Sequence, residues 1–112
     1  MSVAFDGFNR NTATFKITED IEAGTAVKIT ESAQVEPCAD GDAFCGFVEN
    51  GEDGYAAVQL SGAVTAVYSG SAPEVGFTKL ASDGSGVKAS ESGREYLVVA
   101  VDETASTVTF IM

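Results

Sequence analysis

The chain has 112 residues, enough for one domain, and 45% of them are hydrophobic. Lys and Arg number 6 against 17 Asp and Glu, and the basic residues are scattered, which argues against nucleic acid or an anionic membrane as a partner. Because there is no histidine, the chain cannot build a Ser-His or Cys-His nucleophile pair or an imidazole metal site. Its apolar runs are too short for a transmembrane helix, and residues 1–6 lack the pattern of a secretory signal.

The choice of residues favours strands over helices. Val, Thr, Ile, Phe and Tyr total 37 residues, whereas Leu, Met, Lys, Arg and Gln total 13. Branched and aromatic side chains suit a pleated sheet, and straight side chains suit a helix. We therefore expect an all-β protein with little helix, in which the 12 glycines mark turns.

The first eleven residues differ from the rest of the chain. Phe5 and Phe8 stand there among polar residues that include Arg10. We interpret residues 1–11 as a flexible N-terminal arm, and an edge strand of the main sheet is the alternative. Residues 12–112 then form a single β domain.

Short segments of alternating polarity, bounded by turn residues, predict the strands. In chain order they are residues 12–18, 25–30, 44–48, 55–60, 63–68, 77–80, 86–89, 95–101 and 107–111. In the second strand, Ala26 is predicted to face away from Val27 and Ile29. Tight turns are predicted at Ser61-Gly62, at residues 82–85 and at residues 102–105. A turn about every 8–12 residues predicts a small β-sandwich or a partly open β-barrel with short hairpins.

The two cysteines, Cys38 and Cys45, have six residues between them. A zinc site needs further thiolates or imidazoles, and a redox centre usually has the C-x-x-C spacing; the sequence offers neither. We interpret both cysteines as small buried residues with reduced thiols. A local disulfide is the alternative.

Other motifs have simpler explanations than chemistry. Residues 84–89 match G-x-G-x-x-A, but the dinucleotide fingerprint follows a strand and opens a helix, whereas a hairpin is predicted here. The acidic glycine segments at 40–42, 49–54 and 82–84 lack the twelve-residue calcium pattern and are typical of turns. Adjacent carboxylates are expected by chance among 17 acids. We therefore expect no catalytic residue, no metal and no cofactor.

Glycine-punctuated segments follow one another along most of the chain. They are Ala23-Gly24-Thr25-Ala26-Val27-Lys28-Ile29, Phe44-Cys45-Gly46-Phe47-Val48, Ala57-Val58-Gln59-Leu60-Ser61-Gly62, Tyr68-Ser69-Gly70, Gly76-Phe77-Thr78-Lys79-Leu80-Ala81-Ser82-Asp83-Gly84 and Val98-Val99-Ala100-Val101-Asp102. In the order of these segments, in size and in acidic balance, the chain resembles the head decoration, or capsid cement, proteins of tailed bacteriophages and prophages.

The resemblance implies a structural protein that binds the outside of an assembled capsid, often as a homotrimer, and stabilises it against internal DNA pressure. It implies the major capsid protein as partner and the capsid surface of the virion as location, after assembly in the cytoplasm of the bacterial host. The N-terminal arm would become ordered on the shell. Phe5, Phe8 and Arg10 are the candidate contact residues, since two aromatic side chains buried against a coat subunit would offset part of the ordering entropy.

The alternative is a small non-catalytic ligand- or carbohydrate-binding β module, or a tail or fibre β-domain. Sugar sites place aromatic faces in shallow grooves, and Tyr55, Tyr68 and Tyr96 are the candidates here. The absence of Trp weakens the sugar-binding interpretation, and tyrosines in strands often serve as half-buried packing residues.

Overall fold

A computed structural model describes residues 11–84 and 86–112, and these residues form ten β-strands without a helix. The strands are β1 (Asn11–Lys16), β2 (Ala26–Glu31), β3 (Gln34–Pro37), β4 (Gly46–Glu52), β5 (Tyr55–Ser61), β6 (Ala63–Val67), β7 (Gly76–Ser82), β8 (Val87–Ala89), β9 (Arg94–Asp102) and β10 (Thr107–Ile111). They form two five-stranded sheets, which confirms the predicted all-β class. Over the same described ranges, no helix has the length and apolar character needed to cross a membrane.

The first sheet closes into a barrel with the strand order β1-β3-β2-β4-β5. β1 pairs with β5 along its whole length, but it meets β3 at a single residue pair, Lys16 and Gln34. Branched and small side chains, which pack well on a pleated surface, fill the narrow interior. They are Ile17, Ile21, Val27, Val35, Val48, Ala56 and Val58.

The second sheet has the order β6-β10-β9-β7-β8, and its strand pairs are antiparallel. Its two outermost strands approach each other, because Tyr68, directly after β6, bridges to Val87 in β8. The Ser69 N–H also donates to the Val87 carbonyl oxygen at 3.0 Å. The sheet therefore curls around a core that includes Leu80 and Val98.

A kink at Gly62 carries the chain from the barrel into the second sheet. β5 and β6 lie on either side of Gly62 and pair with different strands, so the predicted hairpin at Ser61-Gly62 is wrong. The φ of Gly62 is 102°, in a region that favours glycine. The side-chain amide of Gln59 donates to the carbonyl oxygens of Ser61 and Ala63, both at 3.1 Å, and fixes the chain on both sides of the kink.

The loop before β4 joins the two halves through the ring of Phe44. This ring stacks on Tyr96 at 5.2 Å between centroids and lies tilted against Phe47 at 4.9 Å and Phe110 at 6.0 Å. The Tyr96 hydroxyl donates to the Phe44 carbonyl oxygen at 3.3 Å. The predicted strand at residues 44–48 therefore begins later, at Gly46, since Phe44 belongs to the core between the sheets.

Other details of the strand prediction differ from the structure. The hairpins β7–β8 and β9–β10 are confirmed, whereas β3 was not predicted. Ala26 and Val27 do face opposite ways, and they belong to different cores. Ile29 is 51% exposed, because β2 pairs with β4 only through its first two residues and then leaves the barrel core.

Candidate functional site

The convex side of the second sheet carries a row of apolar side chains. The row consists of three register pairs that share residues: Phe77–Leu97, Leu97–Ile111 and Ile111–Ala63. It therefore crosses β7, β9, β10 and β6. Side chains of register partners lie on one face of a sheet. Phe77 is 72% exposed and Leu97 is 38% exposed. This row faces away from the core, and it is most exposed at Phe77, whereas Ile111 and Ala63 are half-buried.

A second row continues this surface without charge. Thr65, Thr109 and Ala100 are partners across β6, β10 and β9, and the hydroxyls of Thr65 and Thr109 are hydrogen-bonded at 2.8 Å. A register shift after Thr109 keeps both rows on the same side. We call the two rows the outer face; its members are Ala63, Thr65, Phe77, Leu97, Ala100, Thr109 and Ile111.

Charged residues border the outer face at both ends. Lys79 on β7 and Glu95 on β9 are register partners, and each lies two residues along its strand from a member of the outer face. The Lys79 ammonium also lies 3.5 Å from the Glu91 carboxylate. Asp102 borders the other end. In a chain with net charge −11, the outer face itself has no charged member.

The second sheet has an exposed face but little unpaired edge at β6. On β6 the carbonyl of Ala63 accepts the Gln59 amide, and the strand ends at the bridge between Tyr68 and Val87. Gly86 lies so close to the Val67 carbonyl oxygen that a Cβ there would overlap it. A partner strand therefore has little open edge to pair with here.

The barrel has an open edge at β1. The Lys16 N–H donates to the Ala33 carbonyl oxygen at 2.8 Å. Because backbone groups alternate sides along a strand, the N–H and C=O groups of Thr14 and Thr12 point to the same side as those of Lys16. Within the described ranges, β3 pairs with β1 at Lys16 and at no other residue. We call residues 12–16 on this side the β1 edge. It is the part of the barrel next to residues 1–10.

The predicted contact residues Phe5, Phe8 and Arg10 lie outside the described residues, as does the rest of residues 1–10. Asn11, the last residue of the predicted arm, is the first residue of β1. Its side-chain amide donates to the Ser61 hydroxyl at 3.0 Å, which places the start of the strand at the barrel's junction with the second sheet.

Ion pairs fix the loop that carries Phe44. The Lys28 ammonium lies 2.6 Å from the Asp42 carboxylate and 3.8 Å from that of Glu36. The Asp42 carboxylate raises the pKa of Lys28, and the Lys28 ammonium lowers the pKa of Asp42, which also accepts the Ala39 N–H at 2.8 Å. These contacts stabilise the loop and give it no catalytic arrangement.

Both cysteines have free thiols, as the interpretation of reduced thiols predicts. Cys38 is buried and Cys45 is half-buried. Burial raises the pKa of Cys38 to about 12 and also raises the pKa of Cys45. Neither thiol is set up to act as a nucleophile, because the reactive species is the thiolate.

Two shallow depressions lie on the surface of the described residues. One, of about 430 Å³, lies beside Lys79, whose ammonium is 3.5 Å from the exposed Glu91 carboxylate. The other, of about 480 Å³, is lined by Asp20, Glu22 and other acidic residues around Ile21. Nowhere in the described part of the chain do three Cys, Asp or Glu side chains converge on a possible metal position.

The tyrosines proposed for sugar binding do not form an exposed set. Tyr68 and Tyr96 are buried in the core of the second sheet, and Tyr55 is 58% exposed at the start of β5. Of these three tyrosines, Tyr55 alone has a ring that a sugar could contact.

Sequence reasoning did not find the outer face. The signal was present in β9, where Tyr96, Leu97, Val98 and Val99 run without a polar residue, although a half-exposed strand normally alternates. An unbroken apolar run in an antiparallel strand indicates that both faces are apolar.

Comparison with known proteins assigns no family. No family model matches the sequence, and no curated protein matches it. The function is inferred from the surfaces described above and from the resemblance of the sequence segments.

Proposed function

We propose that the chain is a non-catalytic structural protein of a phage or prophage virion, which binds the outside of the capsid as a head decoration, or cement, protein and stabilises it. Its partners are the major capsid protein and further copies of itself, as a homotrimer on the shell. Its location is the capsid surface, after a stage in the cytoplasm of the bacterial host.

The observation that carries this proposal is the β1 edge. Among the described residues it lies beside another strand at Lys16 alone, and it is preceded in the sequence by residues 1–11, which contain Phe5, Phe8 and Arg10. An open edge can add a strand from a partner, whose main chain supplies hydrogen bonds while aromatic side chains supply burial. A coat subunit that offers an extended segment would fit such an attachment site.

The rest of the molecule supports a role that needs a rigid body and contact area. The two sheets share the Phe44 cluster, so that a force on the barrel reaches the second sheet through packed rings. The net charge of −11 keeps separate copies apart before a shell is present. Many weak contacts to a lattice then add up through multivalent attachment.

The direct test is made on particles. The source strain is induced, virions are banded on a density gradient, and this polypeptide is quantified by mass spectrometry against the major coat protein. We expect near-stoichiometric copies in DNA-filled heads. A few copies per particle would assign the chain to a tail or fibre, and intact particles without it would refute a role in the virion.

The attachment surface is tested by deletion of residues 1–11, compared with a chain in which the same residues are replaced by a Gly/Ser segment of equal length. We expect both variants to lose capsid binding and to keep the circular dichroism spectrum of the β core. Capsid occupancy that is unchanged by the deletion would remove the arm from the proposal.

The second candidate, a carbohydrate-binding module, has the exposed ring of Tyr55 in its favour. A glycan array probed with the full chain and with Tyr55→Ser separates the two functions. Binding that depends on Tyr55 would favour the module, and an array without hits would remove it.

A further inference from the structure

The outer face needs an occupant, and we propose that it is a second copy of this chain: copies on the shell contact one another through this surface. The inference rests on the self-association included in the proposed function, and it goes further by naming the surface and its residues. It follows from the charge, the border and the size of the outer face.

Charge leaves few places where two copies can meet. Each copy carries a net charge of −11, and like charges repel over the Debye length of about 8 Å at physiological ionic strength. The outer face has no charged member; Lys79, Glu91 and Glu95 lie at one end of it and Asp102 at the other. Two copies that meet there bring together apolar side chains such as Phe77 and Leu97, while the carboxylates stay at the two ends of the surface.

The border of the outer face is complementary to itself. Lys79 and Glu95 lie side by side on neighbouring strands, so each copy presents both signs at the same end of the surface. A copy rotated about an axis through this border can set Lys79 of one chain against Glu95 of the next. Exposed ion pairs contribute little affinity, so this complementarity fixes orientation while the apolar rows supply the association.

The size of the outer face predicts a weak contact. Four strands about 4.8 Å apart and roughly five residues long give a flat area of roughly 300 Å². A stable interface buries about 800 Å² per partner. Copies should therefore separate when dilute and associate when concentrated, as they are once each is held on a shell by its own attachment to the coat.

Sedimentation equilibrium of the full chain tests the inference. Concentrations from about 10 μM to 1 mM cover the range of a weak contact. We expect concentration-dependent dimers or trimers, and we expect higher NaCl to strengthen the association because it screens the repulsion between acidic copies.

Matched variants locate the contact. Phe77→Asp places a charge in the middle of the outer face and should weaken association at least about tenfold. Ile29→Asp is the control, because Ile29 is 51% exposed on the barrel, away from the outer face. Both substituted residues are exposed, so both variants should fold, which circular dichroism checks. An equal effect of the two variants would overturn the inference, as would a wild-type chain that stays monomeric at 1 mM.

Deletion of residues 1–10 examines the other possible occupant. If the full chain is monomeric and the shortened chain associates, the chain's own N-terminal segment covers the outer face, and a second copy is the wrong occupant. If both associate and Phe77→Asp weakens both, the inference stands.

The inference and the proposed function fail in different experiments. A chain that associates through the outer face but does not bind particles refutes the capsid role and leaves the contact between copies. A chain that binds particles in full amount, while Phe77→Asp and wild type have the same occupancy and the same sedimentation, refutes the contact and leaves the capsid role.

Discussion

The barrel and the second sheet pack their interiors with different side chains. The barrel core consists of Ile, Val and Ala, whereas the second sheet is built around the rings of Phe44, Phe47, Tyr96 and Phe110. Branched aliphatic residues suit a narrow closed barrel. Rings bury more area for each side chain and can reach across from one element to another. The barrel thus packs its interior with its own residues, whereas the core of the second sheet includes Phe44 and Phe47 from the barrel half.

The two halves also differ in what they leave open. The barrel has an open edge at β1, while the second sheet closes its edges near Tyr68 and exposes apolar side chains on its face. An edge binds through main-chain hydrogen bonds, and an apolar face binds through burial. The proposed role between a coat subunit and further copies of the chain requires two such surfaces, one for each kind of partner.

The largest predicted effect comes from removal of the ring that joins the halves. Phe44→Ala should lower the free energy of unfolding by about 3–5 kcal/mol, because Phe44 is fully buried and contacts three other rings. Urea denaturation followed by circular dichroism measures this loss. Phe77→Ala, at a ring that is mostly exposed, is the control and should change the free energy by less than about 0.5 kcal/mol. Equal losses for the two would contradict the joining role of Phe44.

A substitution inside the barrel should lower the free energy of unfolding by less than Phe44→Ala does. Val58→Ala removes two carbons from a fully buried position and should lower the free energy of unfolding by about 2 kcal/mol. The same urea titration measures it, and hydrogen exchange shows where the loss lies. We expect faster exchange in β1, β4 and β5 and little change in β9 and β10. Equal acceleration in both sheets would show that the halves unfold as one unit and would weaken the distinction between them.

The closing bridge of the second sheet is tested by adding one carbon beside it. Gly86→Ala adds a Cβ that overlaps the Val67 carbonyl oxygen, so β8 must move away from the end of β6. The overlap is with backbone rather than with a flexible side chain, and we expect a loss of about 1–3 kcal/mol. Thermal unfolding measures it, with Ala89→Gly in the same strand as a control for the effect of altering β8 itself. A stability equal to that of the wild type would show that the bridge is dispensable.

The features that the sequence predicted are local ones. The hairpins β7–β8 and β9–β10 join neighbours in the chain through turns of small and polar residues, and both were predicted. Gly62 was misread because a glycine in a tight turn and a glycine at a kink carry the same signal. β3 was missed because it is four residues long and ends in Pro37.

The candidate surfaces depend on contacts between distant parts of the chain. The β1 edge exists because β3 lies beside Lys16 alone, and the outer face exists because the core lies on the other side of the sheet. An alternating pattern shows that a strand has two faces, but it does not show which face another element covers. Phe77 and Leu80 are three residues apart in one strand, and the fold alone decides that Leu80 is buried and Phe77 exposed.

The smallest expected effect on stability comes from the Lys28–Asp42 ion pair of the loop that carries Phe44. The Lys28 ammonium lowers the pKa of Asp42 in the folded chain, so this pair adds stability above the pKa of an unfolded Asp, near 3.9, and the addition is lost as the pH falls through the lower folded value. Asp42→Asn should therefore be slightly less stable than wild type at pH 7, and the difference should shrink toward pH 2. Urea titrations of both chains from pH 7 to pH 2 measure it, with Asp53→Asn as a control for the loss of one negative charge at a turn. A constant difference across this range would mean that the contribution of Asp42 does not depend on its charge, and Phe44 would then be the main anchor of the loop between the two sheets.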